Sequence, residues 1–255
     1  MSDQAGKALL GTCGWSYDDW VTAGFYGPEL TTKDRLPAYA ERFGTVEIDS
    51  TFYAIPRLST VQGWVERTPS GFVFSAKFPR QITHEGRVAE KGELAQAFVE
   101  TMSELGEKLG ALLLQFPPSF TATSMGDLER LLQGLPDGYV YAVEVRHRSW
   151  LTEEFADLLK QWRVSLVLTA SPRFRPFWRV TSTVAYIRWL GRWNAYETYD
   201  QLRRPVEEDL DWWVPRMEHF LNRGGTVLGY VNNNFAGYSP AVVEQIRERL
   251  GQPGV

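Results

Sequence analysis

Eight short β-rich runs with longer stretches between them constrain this chain more than any other feature. They are ALLGTCG (8–14), TVEID (45–49), FVFSAKF (72–78), ALLLQF (111–116), YVYAVEVRH (139–147), SLVLTA (165–170), VAYIRWL (184–190) and TVLGYVNN (226–233). Most are separated by amphipathic helical patterns with readable ends. Thr152-Glu153-Glu154 combines a capping hydroxyl with first-turn acids. Ser59 can cap TVQGWVERT, residues 92–109 keep helical spacing, and Ser239-Pro240 opens a last helix with proline in its first turn. Strict alternation of strand and helix implies a parallel sheet with right-handed crossovers. Eight such units in 255 residues fit a closed α/β barrel of the (β/α)8 TIM type. A doubly wound open sheet is the alternative that shares the pattern. The sixth unit is irregular: SPRFRPFWRVTST (171–183) has prolines and no helical period, so it reads as a loop or an extra strand. No repeat, linker or low-complexity tract divides the chain, and a single domain over 1–255 is expected.

The ends of these runs are polar where a barrel interior is normally apolar. The second run ends in Glu47, Asp49 and Ser50, the third in Lys77, the fourth in Gln115, and the fifth in Glu144 and Arg146. The seventh carries Arg188 and the eighth runs into Asn232-Asn233-Asn234. Residues two apart in a strand share a face, so Glu144 and Arg146 point together. The C-terminal rim of a barrel is where active sites of this architecture sit, and convergence of these polar strand ends, four of them charged, predicts a shared pocket there. Burying an unpaired charge costs several kcal/mol or more. Glu47 or Glu144 should therefore pair with Lys77, Arg146 or Arg188. One reading of such a cluster is a structural salt-bridge network; the other is an electropositive pocket for an anionic group, assisted by surrounding helix N-termini.

In the second reading Glu47 and Glu144 serve as acid and base, Lys77 holds an oxyanion or acts as a base, and His84 on a rim loop transfers protons. His147 alternates away from Glu144 and is expected to orient or pack, and His219 to be structural. Trp15, Tyr17, Phe52, Tyr53, Trp150, Trp189 and Trp193 gather at the same rim, where aromatic rings pack or, where they follow strands, stack on a sugar or base. In 173–179, arginines alternate with aromatic residues, which suits a single-stranded nucleic acid, a phosphorylated ligand or a plain loop with arginines lying over rings. Glu47, Asp49, Glu144 and a histidine would suit Mg²⁺ or Mn²⁺, but no compact ligand spacing such as HExxH supports a metal assignment. GxSxG, a dinucleotide fingerprint and a Walker loop are missing.

Composition narrows the partners. A net charge of −4 and a pI near 5.5 disfavour diffuse binding to nucleic acid. One cysteine, Cys13, excludes an intrachain disulfide and a cysteine-based zinc cluster, which fits a cytoplasmic location. MSDQAGK lacks the apolar segment of a secretion signal, and ALLLQF is too short to span a bilayer, so no membrane partner is expected.

Longer motifs carry a resemblance. GTCGWSYDDW, FGTVEIDSTFYAIP, GFVFSAKFPRQITH, LLLQFPPSF, AVEVRHRSW, YIRWLG and YVNNNFAGYSP run from end to end of the chain. Together they resemble the family called domain of unknown function 72, the YecE-like proteins. That resemblance implies a TIM-barrel fold and no settled reaction. By motif it singles out Trp15, Glu47, Ser50, Phe52, Tyr53, Lys77, Thr83, His84 and Gln115. Glu144, Arg146, His147, Trp150, Arg188, Asn232 and Asn233 complete the set. Family motifs commonly read FNND near the eighth strand; Val231-Asn232-Asn233-Asn234 here lacks that acid. The leading expectation is an enzyme acting on a small anionic, hydroxylated metabolite such as a sugar phosphate or nucleotide-like compound. Trp15, Tyr53, Gln115, Arg146, Trp150, Arg188, Asn232 and Asn233 would contact that substrate. A metal-dependent phosphoesterase or nuclease, and a non-catalytic nucleotide or nucleic-acid binder, are the alternatives.

Overall fold

The computed structural model describes residues 6–172 and 176–252. Its strands are β1 (Lys7–Cys13), β2 (Thr45–Ile48), β3 (Val73–Lys77), β4 (Leu109–Gln115), β5 (Tyr141–Glu144), β6 (Ser165–Leu166), β7 (Leu168–Ala170), β8 (Val184–Trp189) and β9 (Thr226–Val231). All pairings are parallel, and the sheet order runs β6-β5-β4-β3-β2-β1-β9-β8-β7. Only Val167 separates the two strands at the ends of that order, so the sheet curls into a mostly closed, TIM-barrel-like α/β barrel. Among the described residues it has nine strands instead of the eight expected, because the run 165–170 is interrupted at Val167.

The interruption has a local cause. β6 pairs with β5 and β7 pairs with β8, so the sheet changes partner within six residues. Side-chain hydroxyls fill the missing ladder. Thr181 Oγ1 accepts from the Leu166 amide at 2.8 Å and donates to the Val164 carbonyl at 2.6 Å, and Ser165 Oγ lies 2.8 Å from Ser182 Oγ. Residues 176–183 form no helix or strand, in keeping with the expected irregular sixth unit. Trp178 instead packs on Trp213 and Phe220.

The helices are α1 (Asp19–Thr22), α2 (Arg35–Ala40), α3 (Leu58–Glu66), α4 (Arg80–Thr83), α5 (Gly92–Ser103), α6 (Met125–Gln133), α7 (Glu153–Gln161), α8 (Glu207–Leu221) and α9 (Ser239–Arg249). Thr152 caps α7 by accepting from the Phe155 amide at 3.2 Å, and proline opens α9. Ser59 does not cap α3, which starts at Leu58, two residues earlier than a Ser59 cap would place it, after Arg57 with no side-chain cap. The helical spacing over 92–109 breaks at Ser103, and a 3-10 turn at Gly106–Lys108 leads into β4. Among the described residues no helix is long and apolar enough to cross a membrane.

Two cores result. The larger lies between strands and helices, and holds Trp20, Trp150, Trp189 and Trp213 with no more than traces of exposure. The smaller fills the barrel with Cys13, Ala111, Leu113, Ala142, Val167, Tyr186, Leu228 and Tyr230. Tyr230 satisfies its hydroxyl with Thr45 Oγ1 at 2.9 Å and Ser75 Oγ at 2.8 Å, as a buried phenol requires.

Candidate functional site

Period-two alternation continues up each strand from this inner core. Two residues beyond Thr45, Ser75, Leu113, Ala142 and Tyr186 stand Glu47, Lys77, Gln115, Glu144 and Arg188. The ladders bring Cys13 opposite Glu47, Gln115 opposite Glu144, and Thr169 opposite Arg188. The inner face thus changes from apolar to ionic at one level, and above that level opens a cavity of about 830 Å³.

Arg188 holds the ionic level together. Its Nη2 donates to Glu47 Oε1 at 2.7 Å, and its Nη1 donates to Glu144 Oε2. The Tyr186 hydroxyl donates to Glu47 Oε2 at 2.6 Å, and Arg146 Nε donates to Glu144 Oε1 at 2.8 Å. Each of the four carboxylate oxygens therefore has a donor. Glu47, Glu144 and Arg188 are buried, so this network is of the kind in which removal of one member leaves an uncompensated charge. Burial pushes the Glu144 carboxyl up, but the Arg188 and Arg146 guanidiniums outweigh it and hold the group down at about 2. Burial and the Glu47 charge push the Tyr186 phenol and the Cys13 thiol well above their ordinary values.

Lys77 departs from the expected pairing. Among the described residues its ammonium makes no salt bridge with a carboxylate, and Nζ lies 3.6 Å from the centre of the Phe52 ring. Burial and then the Arg188 charge lower its pKa to about 8. His84 stands edge-on to Phe52 and meets Thr83 Oγ1 through Nδ1 at 2.8 Å. Burial and the neighbouring Lys77 charge bring its imidazole down to about 4. Asp49, also on the cavity wall, is raised by burial and by Glu47.

Of the residues singled out from the sequence, Lys77, His84, Glu144, Tyr53, Gln115, Arg146, Arg188, Asn232 and Asn233 line this one cavity. Glu47 lies in the buried layer beneath it. Trp15 and Trp150 do not reach it. Trp15 packs edge-on against Trp64, while Trp150 is fully buried, stacks on Phe120 and donates its indole N–H to the Phe120 carbonyl at 2.8 Å. Both rings fill space between helices and strands. Asn233 supports α9: its Oδ1 accepts from the Ser239 amide and hydroxyl, while its buried Nδ2 has no partner among the described residues. Asn232 turns onto Asn234, and Gln115 donates to the Phe116 carbonyl. His147 Nδ1 lies 2.8 Å from Ser149 Oγ and accepts from the Ser149 amide at 3.2 Å.

The structure adds Tyr186, Thr169, Arg192 and Tyr199 to the site. Stepping two residues back from Arg188 finds Tyr186; Arg192 and Tyr199 lie in an aperiodic loop that carries no such signal. In the arginine-rich loop, 173–175 lie outside the described residues. Arg179 pairs with Glu153 on the outer surface, away from the cavity lining. Among the described residues no group of three or more His, Cys, Asp or Glu side chains is assembled that would hold a metal ion.

Known proteins agree with this architecture. A DUF72 family protein of Thermotoga maritima MSB8 superposes with a TM-score of 0.78 at 27% identity, covering 96% of this chain and 99% of that one. One from Enterococcus faecalis V583 gives 0.77 at 23% identity, covering 98% and 99%, a likeness of fold. UPF0759 protein YecE of Escherichia coli (strain K12) is 35% identical over 138 residues, 54% of this chain and 48% of that protein. UPF0759 protein YunF of Bacillus subtilis (strain 168) is 29% identical over 164 residues, 57% and 53% respectively. The chain spans about half the length of these curated relatives in the regions that match. The family profile described as "Protein of unknown function DUF72" matches residues 9–255. The chain belongs to the DUF72 family.

Proposed function

We propose that this (β/α)8-type barrel is an enzyme for a small anionic, hydroxylated metabolite such as a sugar phosphate or nucleotide-like compound. In this reading Lys77 carries the proton transfer, neutral His84 beside it offers a hydrogen bond, and the glutamates hold the frame. The observation that carries it is the charge balance of the cavity. Glu47 and Glu144 are matched by Arg188 and Arg146, which leaves Lys77 and Arg192 on the wall against one further carboxylate, Asp49, and among the described residues Lys77 makes no salt bridge. An anion supplies the missing partner.

Glu144, held at about 2, is a weak base near neutrality, whereas an amine near 8 matches the working range of a general base. The carboxylate acid–base scheme suggested by the strand ends therefore passes to Lys77, with neutral His84 beside it. Tyr53 and Trp193, 72% and 83% exposed, stand at the same cavity and offer ring faces to a sugar or base.

Thermal-shift screening with inorganic phosphate, ribose 5-phosphate and nucleoside monophosphates tests the reading, with and without Mg²⁺ or Mn²⁺. A ligand at a hundred times its Kd stabilises the fold by about 2.7 kcal/mol. Arg146→Ala should lose that stabilisation. With the ligand class in hand, Lys77→Met should reduce kcat by about 10²–10⁴-fold, and Lys77→Arg should restore binding without turnover. Unchanged kcat and KM in Lys77→Met would remove Lys77 from the mechanism. Turnover that needs the divalent ion and stops with chelator would favour the phosphoesterase reading instead.

A further inference from the structure

We infer that Lys77 is an amine nucleophile, and that it forms a Schiff base with the carbonyl carbon of a phosphorylated aldehyde or ketone. The inference rests on the cavity taking a small phosphorylated compound, and it adds covalent chemistry to that reading.

The placement of the amine carries the argument. Lys77 ends β3 on its inner face, so its side chain projects from the strand into the cavity. Thr51 Oγ1 donates to the Lys77 carbonyl at 2.7 Å and fixes the strand end from which the amine reaches. One side of Nζ rests on the Phe52 ring, which shields it. A lysine that only stiffened the barrel mouth would sit on Glu47 or Glu144. Those carboxylates are already filled by Arg188, Arg146 and Tyr186. Desolvation and adjacent cations are the two conditions that leave a lysine amine unprotonated and reactive, and Lys77 meets both.

The step balances without a co-reactant. The nitrogen lone pair attacks the carbonyl carbon, a C–N bond forms, and the carbonyl oxygen becomes the hydroxyl of a carbinolamine. The C–O bond then breaks and the oxygen departs as water, carrying both hydrogens of the neutral amine and leaving a C=N bond. Asp49, whose residue lines the same cavity as Lys77, is the carboxyl group available to pass a proton to the departing hydroxyl and to recover it. Arg146 and Arg192 on the cavity wall are the cations for the phosphate.

The probe is glycolaldehyde phosphate, small enough that fit is no obstacle, with cyanoborohydride to reduce the iminium and peptide mass mapping to locate it. Uncharged glycolaldehyde is the companion probe, and inorganic phosphate in a thermal-shift assay reports non-covalent binding. The chain has six lysines. At pH 7.5 a pKa near 8 gives a free-amine fraction roughly 200-fold above that of an ordinary lysine. Lower intrinsic nucleophilicity offsets part of this, so labelling of Lys77 should exceed each other lysine by about tenfold or more. Label should vanish from that peptide in Lys77→Met, whose near-ultraviolet dichroism confirms the fold. Arg146→Ala should slow the phosphorylated probe more than the uncharged one, because losing the Arg146 charge removes a phosphate contact and also raises the Lys77 amine, which slows both. Label spread over the other lysines, with Lys77 unmodified, would overturn the inference. If phosphate still stabilised the protein in that case, the non-covalent reading of the cavity would stand alone; if it did not, both would fall. Equal rates with the two aldehydes would overturn the phosphorylated class of substrate.

Discussion

Arg188 is the residue that sets the chemistry of the cavity, because its two terminal nitrogens serve two buried carboxylates. A planar guanidinium can do this and an ammonium cannot. Replacing it leaves Glu47 and Glu144 without their shared cation. Arg188→Met should therefore lower stability by about 3–5 kcal/mol in urea unfolding. Adding Glu47→Gln and Glu144→Gln should recover most of the loss, since the uncompensated charges are then gone. A single substitution costing under about 1 kcal/mol would show that the network is not load-sharing. Lys77 is the contrasting residue: it sits near the same carboxylates but takes no part in their pairing. That separation assigns structural work to Arg188 and leaves Lys77 available for chemistry.

At the scale of elements, the loop after β8 places Trp193 beside the cavity, and one glycine permits its course. Gly191 has φ +66, and a Cβ there would lie 1.8 Å from the Asn234 carbonyl oxygen. Asn234 also ties the loop through Oδ1, which accepts from the Tyr199 hydroxyl at 3.0 Å. Gly191→Ala combines a left-handed backbone penalty with a main-chain clash, and should cost about 2–4 kcal/mol. Displacement of the loop should also change the emission of exposed Trp193, read against a Trp193→Phe control. Unaltered stability and emission would mean that the loop is not held by its approach to Asn234. The strand break at Val167 belongs to this scale too. Its β-rich run was legible, whereas the exchange of neighbours from β5 to β8 was not, because that depends on hydroxyls of residues 181 and 182 folding back.

Across the whole molecule, Lys77 imposes a stability term whose sign follows from its lowered pKa. The unfolded amine titrates near its ordinary 10.5 and the folded one near 8. Below about pH 8 both states bind the proton and the penalty for a buried charge is fully present. Between about 8 and 10.5 the unfolded chain binds the extra proton, so folding strengthens as pH rises. The shift corresponds to about 3 kcal/mol at most. Lys77→Met should therefore be more stable than the parent near pH 7, by up to about 3 kcal/mol, with the gap closing toward pH 10.5. Urea melts at several pH values read this directly, and a gap independent of pH would contradict it. A side chain that weakens the fold at neutrality is the pattern expected where function sets the residue.

Periodicity along the chain was enough to determine the alternating barrel plan, the inward direction of Glu47, Lys77, Glu144 and Arg188, and the starts of α7 and α9. Those properties are local: a two-residue or 3.6-residue repeat and a capping hydroxyl lie within a few positions of one another. Only the tertiary structure decided that Arg188 takes both glutamates, that Lys77 takes neither, and that Trp150 is core while Trp193 stands exposed at the cavity. Arg188 meets Glu47 across 141 residues of sequence. Ionic partnership depends on ångström distances across the closed barrel, and alternation records which face a side chain occupies without recording which group stands opposite.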